Sequence, residues 1–205
     1  MTRAIIFDCG GVLINGTLAA SSYESFLATT FNLPLEKASQ IWTKAKDKIL
    51  KGELTSIEFL RQVCHTYDKR VLAEKVWHDF KEIYLIKSKE EVNWQLLDLV
   101  EALRSRYKVY ILTDALDFDD EDRLVKEYIY PQFDGVYRSF EMGLRKNDER
   151  IFEEVLAKIG AKAKETVLID DKEGVVELAS SLGIRAILYE DNQRLTAELS
   201  NLELI

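Results

Sequence analysis

The chain opens on an unbroken apolar run, Ala4-Ile5-Ile6-Phe7, that ends in Asp8-Cys9-Gly10-Gly11. A β-branched and aromatic run closed by an acid and two glycines predicts a buried strand opening into a tight turn. The period then changes. Tyr23, Phe26 and Leu27 share one helical face, and Ala38, Ile41, Trp42 and Ala45 repeat at i, i+3, i+4, i+7. Leu60, Val63, Cys64 and Tyr67 follow the same template behind Thr55-Ser56-Ile57-Glu58, which has capping-box spacing. Val76, Phe80 and Ile83 make a fourth pattern. No strand pattern interrupts positions 18 to 86. An all-helical block is therefore expected after the first strand, with Trp42 and Trp77 in its core rather than lining a pocket.

The polar stretch Lys87-Ser88-Lys89-Glu90-Glu91 reads as a return linker, after which helices and strands alternate. A helix carrying Leu96, Leu99, Val100 and Leu103 precedes the strand Lys108 to Thr113, and an acid-rich helical start over Asp117 to Asp122 precedes a short strand, Gly135 to Phe140. A helix with Phe152, Val155, Leu156 and Ile159 stops at Gly160 and leads to the strand Thr166 to Asp170. A helix with Val175, Leu178, Ala179 and Leu182 stops at Gly183, before a last strand, Arg185 to Tyr189, and an amphipathic tail helix. Such alternation predicts an α/β protein built on a doubly wound parallel sheet with right-handed crossovers.

Composition narrows the function. With 205 residues, 47% of them hydrophobic, the chain is long enough for a packed core. A net charge of −8 without a Lys/Arg block argues against nucleic acid or an anionic membrane as partner. Two cysteines, Cys9 and Cys64, and two histidines, His65 and His78, stand in no metal-ligand spacing, which argues against zinc and against a Cys/His nucleophile. No apolar run approaches a membrane span and no signal-peptide pattern is visible, so a soluble, reduced, cytoplasmic protein is expected. The acidic run from Asp117 lacks the glycine of an EF-hand loop and reads as a solvated helix start.

The polar residues at strand ends then fall into line. Asp8 ends the first strand, Thr113-Asp114 the second and Asp170-Asp171 the fourth, while Gly143-Leu144-Arg145-Lys146 precedes the helix after the third. All belong to one edge of a parallel sheet, the edge where such folds bind ligands. Carboxylates from two strands, without histidine, suit a hard oxygen-liganded cation such as Mg²⁺. A lysine and a threonine hydroxyl beside it suit phosphate oxygens, and an aspartate can serve as nucleophile through an acyl-phosphate. The parts are those of a phosphoryl-transfer site.

On these motifs the chain resembles the haloacid dehalogenase-like (HAD) hydrolases with a small helical cap, in their phosphatase-like branch. Phe7 to Leu13 is similar to the first motif of that family, Ile111-Leu112-Thr113-Asp114 to the second, Gly143 to Lys146 to the third and Val167 to Asp171 to the fourth. The resemblance implies a Rossmann-like core from residues 1–14 and 91–205, with 15–90 as a cap that closes over the site and selects the substrate. It implies Asp8 as nucleophile and Thr113, Asp114 and Lys146 around the substrate phosphate. Mg²⁺ would be held by Asp8, Asp170, Asp171 and the backbone carbonyl of Gly10. The expected substrate is a small phosphorylated metabolite, and the sequence does not fix the oligomeric state.

Four positions depart from the family pattern. Gly10 replaces an aspartate that serves as general acid and base, although a branch resembling sugar-phosphate phosphatases also has glycine there. Asp114 and Val175 each replace an asparagine, and Asn147 a proline. Two other readings stay open: a catalytically silent binding protein of the same fold, and a dehalogenase, which needs an aspartate nucleophile but no metal. A receiver domain also combines Asp, Thr and Lys, but its acidic pair precedes its phosphorylated aspartate.

Overall fold

The computed structural model describes residues 1–14, 18–68, 72–88, 92–117 and 125–205. Five parallel strands form one sheet: β1 (Ala4–Phe7), β2 (Lys108–Thr113), β3 (Gly135–Arg138), β4 (Thr166–Asp170) and β5 (Arg185–Leu188). Their order is β3-β2-β1-β4-β5, which puts the first strand in the middle. Phe7 is level with Ile111 of β2 and with Ile169 of β4. The five-strand parallel sheet flanked by helices has the Rossmann-like architecture that the alternating pattern predicts.

Central strands of such a sheet are buried on both faces and so read as continuous apolar runs. Ile5, Phe7, Val109, Ile111, Val167 and Ile169 face a core shared with α5 (Trp94–Arg104) and α9 (Asn192–Asn201). Ile6, Leu112 and Leu168 face the opposite core, against α7 (Glu149–Ile159) and α8 (Glu173–Ser181).

Between β1 and α5 the described chain is helical: α1 (Leu18–Phe31), α2 (Leu35–Leu50), α3 (Ser56–Thr66) and α4 (Ala73–Ser88). These helices bury their own aromatic cluster. Trp42 is 1% exposed and stacks on Tyr23 with ring centroids 4.0 Å apart, so Trp42 is core; Trp77 packs against the same cluster. The capping box of α3 forms as its spacing predicts, Thr55 Oγ1 accepting from Glu58 N while Glu58 Oε2 accepts from Thr55 N. Where the chain leaves and re-enters the sheet, Ile14 bridges Val92 and Asn93 N donates to Leu13 O at 2.9 Å. The boundaries expected near residues 15 and 90, and most of the expected linker, lie outside the described residues.

Two expectations need correction. The third strand stops at Arg138, because Ser139 is buried and turns the chain into the short α6 (Ser139–Met142); its Oγ accepts the Ala115 N–H at 3.1 Å. Asp117 is half-buried rather than simply solvated: its carboxylate accepts the Ser56 N–H at the start of α3, 3.2 Å away. The remainder of that acidic run, 118–122, lies outside the described residues. Among the described residues no helix is long and apolar enough to cross a membrane.

Candidate active site

The register of the sheet brings the expected residues together at one edge. Asp8 follows β1, and its N–H donates to Ile169 O of β4 at 2.8 Å, which sets Asp8 beside Asp170. Asp8 is 1% exposed and Asp170 wholly buried. Lys146, on the loop between α6 and α7, is also wholly buried. Its Nζ donates to Asp170 Oδ2 at 2.6 Å and lies 2.7 Å from Asp8 Oδ2. The second contact pairs charges but lacks hydrogen-bond geometry, so Asp8 Oδ2 has no hydrogen-bond partner among the described residues. Asp8 Oδ1 is fixed by the Cys9 N–H at 2.7 Å.

Burial alone would drive a proton off Lys146. The charges of Asp8, Asp170 and Asp114 outweigh it, and the ammonium is held above its ordinary range. Asp171 is pushed up, chiefly by burial; Lys172 opposes this and Asp8 adds to it.

Asp171 turns its carboxylate toward the glycine turn after β1. Gly11 has φ +85°, and a Cβ there would lie 2.3 Å from Asp171 Oδ2, so only glycine leaves room for that acid. Gly10 is exposed, has no left-handed backbone, and a Cβ on it would meet nothing within 4 Å.

Thr113 is buried at the end of β2, and its hydroxyl makes no hydrogen bond to a described residue. Asp114, next along, is occupied by protein: Arg145 Nε and Nη2 reach its Oδ2 at 3.1 and 3.0 Å, and Lys146 N donates to its Oδ1 at 3.1 Å. Arg145 Nη1 also meets Asp47 Oδ1 of α2 at 3.1 Å, tying the helical block to the site.

Four side chains here had no role in the sequence reading: Arg145, Asp47, Lys172 and Lys46. Lys172 Nζ stands 3.9 Å from Asp8 Oδ2 and 4.0 Å from Asp171 Oδ1. Burial, Arg145 and Lys172 depress Lys46 of α2. The signal for Lys172 was a base directly after an acidic pair; for Asp47 and Lys46, on an amphipathic helix, there was none.

One oxygen each from Asp8, Asp170 and Asp171 lie within 4.8 Å of one another. Asp8 Oδ2 and Asp171 Oδ1 are buried without a hydrogen-bond partner among the described residues, as ligand atoms of a cation would be. An all-oxygen set without histidine or cysteine suits a hard divalent ion, and Mg²⁺ fits it.

A parallel sheet whose central strand delivers a buried carboxylate to a lysine and an acidic pair from the next strand has the Rossmann-like architecture with an all-oxygen site at its carboxyl edge. The chain belongs to the haloacid dehalogenase-like hydrolases, whose family model matches residues 2–183. Drimenol cyclase of Aspergillus calidoustus is 29% identical over 205 residues, 98% of this chain but 37% of the cyclase, so the chain spans little more than a third of that relative. Glyceraldehyde 3-phosphate phosphatase of Methanocaldococcus jannaschii is 26% identical over 180 residues, covering 84% of this chain and 77% of that protein. A HAD family enzyme of Bacteroides thetaiotaomicron, solved with magnesium and inorganic phosphate, superposes with a TM-score of 0.74 at 27% identity, over 95% of this chain and 99% of its own.

Proposed function

We propose that the chain is a Mg²⁺-dependent phosphatase of a small phosphorylated metabolite, working through an aspartyl-phosphate on Asp8. The observation that carries this reading is the buried Asp8 carboxylate, fixed through Oδ1 by the Cys9 N–H and charge-paired at Oδ2 with Lys146. Names and bound ligands of similar proteins support it, among them the phosphatase of Methanocaldococcus jannaschii and the magnesium and phosphate complex from Bacteroides thetaiotaomicron.

In this mechanism the Asp8 carboxylate attacks phosphorus, the ester oxygen departs with its bonding electrons, and water then hydrolyses the acyl-phosphate to free Asp8 and phosphate. Lys146 pairs with the nucleophile's carboxylate and meets the phosphoryl oxygens, and the Thr113 hydroxyl donates to one of them. Asp8, Asp170, Asp171 and the Gly10 carbonyl would hold Mg²⁺, which when bound offsets negative charge on the phosphoryl group. Gly10 has no side chain to protonate the leaving group. Residues 15–90 would act as the cap over this edge, docked through Asp47 on Arg145 and Ser56 on Asp117.

The unpartnered oxygen of Asp171 favours a metal enzyme over a dehalogenase. The test is a phosphatase screen across a metabolite panel, with and without Mg²⁺, on wild type and Asp8→Asn. Mg²⁺-dependent phosphate release by wild type alone is expected; release that survives Asp8→Asn removes the nucleophile assignment, and a folded wild type silent on every ester supports the binding-protein reading.

A further inference from the structure

Asp8 Oδ2 and Asp171 Oδ1 are the buried carboxylate oxygens that no described group hydrogen-bonds, and both face one further cation. Nζ of Lys172 stands 3.9 Å from the first and 4.0 Å from the second, beyond hydrogen-bond reach but well within electrostatic attraction. The root of this side chain is fixed. Lys172 is the N-cap residue of α8, and its backbone N–H is held by Asp170 Oδ1 at 2.9 Å. The head is not fixed: the side chain is 56% exposed, so the ammonium can withdraw into water at little cost in desolvation.

Charge explains why an ammonium belongs there. Lys146 is committed to Asp8 and Asp170, 2.7 and 2.6 Å away, which leaves Asp171 without a buried partner. Like charges so close repel, and any cation between Asp8 and Asp171 relieves the strain.

We infer that Lys172 is an internal counter-ion that competes with the divalent metal for the Asp8 and Asp171 carboxylates; this rests on the metal reading proposed above. Without metal, its ammonium offsets the repulsion between them. When metal binds, the same oxygens are claimed, and the ammonium moves out toward solvent or toward the anion of a bound substrate. The displacement weakens metal affinity below what the three carboxylates alone would give. Lys172 is therefore a positioning residue that sets the metal concentration at which the site fills.

The test is calorimetric titration of Mg²⁺ into metal-stripped wild type, Lys172→Met, Lys172→Gln and Lys172→Arg, with melting temperatures in chelator. Both neutral variants should bind Mg²⁺ about tenfold more tightly, equivalent to about 1.4 kcal/mol, and melt lower than wild type in chelator. Lys172→Arg should stay near wild type. Equal Mg²⁺ affinity in wild type and both neutral variants overturns the inference. So does a loss of inorganic phosphate binding at saturating Mg²⁺ with metal affinity unchanged, since Lys172 would then be a phosphate ligand. Absence of Mg²⁺ binding in all four proteins overturns the metal reading itself, and this inference with it.

Discussion

Oδ1 of Asp114 accepts the backbone N–H of Lys146 at 3.1 Å, so the acid after β2 fixes the peptide that carries the buried lysine. Its other oxygen takes Arg145 by two nitrogens, and Asp114 is thereby neutralised by the protein. An asparagine can accept from the Lys146 N–H but cannot pair with Arg145. Asp114→Asn should thus fold with modest loss, whereas Asp114→Ala leaves donors unsatisfied at a half-buried position and should cost about 1–3 kcal/mol. Urea denaturation of both variants checks this; equal losses would mean that the backbone contact contributes nothing.

Removing Lys146 should be costlier. Lys146→Met leaves Asp8 and Asp170 buried without their cation, and losing one partner of a buried ion pair costs about 3–5 kcal/mol. The pH dependence has a definite sign. Because the folded protein holds Lys146 above its ordinary value of 10.5, its contribution is complete below that pH and is lost only as pH rises through the higher folded value. Stability curves from pH 7 to 11.5 should show an alkaline decline in wild type that is reduced in Lys146→Met.

Asp171 has the same sense, in a lower pH range. Burial raises its pKa above the ordinary 3.8, so its contribution is present below that pH and is lost as pH rises through the raised value. At neutral pH the ionised acid is a burden unless a cation joins it. Asp171→Asn should therefore melt higher than wild type in chelator, yet gain little from Mg²⁺. Wild type should gain about 2.7 kcal/mol at a Mg²⁺ concentration near 100 times its dissociation constant. Thermal melts across a millimolar Mg²⁺ series decide it, and a wild-type melting temperature indifferent to Mg²⁺ would count against the site.

On the proposed mechanism, Gly10 leaves the departing oxygen without a side-chain acid. General acid assistance contributes typically about 10²- to 10⁴-fold, so without it alkyl phosphates should turn over far more slowly than aryl, acyl or anomeric sugar phosphates. The backbone at Gly10 is not left-handed and the space beyond it is open, so Gly10→Asp should fold normally and raise kcat/KM for alkyl esters more than for aryl ones. The measurement is kcat/KM along a graded ester series for both proteins; parallel slopes in a folded, Mg²⁺-binding variant would mean that another group supplies the proton. The neighbouring Gly11 cannot be varied so freely, since φ +85° and the Asp171 carboxylate both exclude a side chain.

The sheet and its acidic edge were readable because each depends on neighbours in sequence. β2 and β4 are apolar runs with the predicted bounds, and Asp8, Asp170 and Asp171 stand at the ends such runs must have. What escaped reading depends on distant partners. Ser56 meets Asp117 across 61 positions and Asp47 meets Arg145 across 98, and at each position the residue is indistinguishable from a solvated one. Ser139 escaped for a related reason: a buried hydroxyl that breaks a strand resembles one that continues it until its donor, the Ala115 N–H, is known.

The strand order bears on which parts of the site can open. Amide exchange in a folded chain ranges from near-zero protection at frayed segments to the full unfolding free energy in central elements. β1 lies between β2 and β4, so Asp8 and Asp170 are attached to amides expected to exchange only when the whole protein unfolds. Lys146 stands instead on a loop after a helix of four residues, outside the strand ladder, where amides are expected to exchange sooner than those of the central strands. Asp8 and Asp170 are thus set in the most protected part of the fold, and the half-exposed Lys172 is the cation beside them with room to come and go.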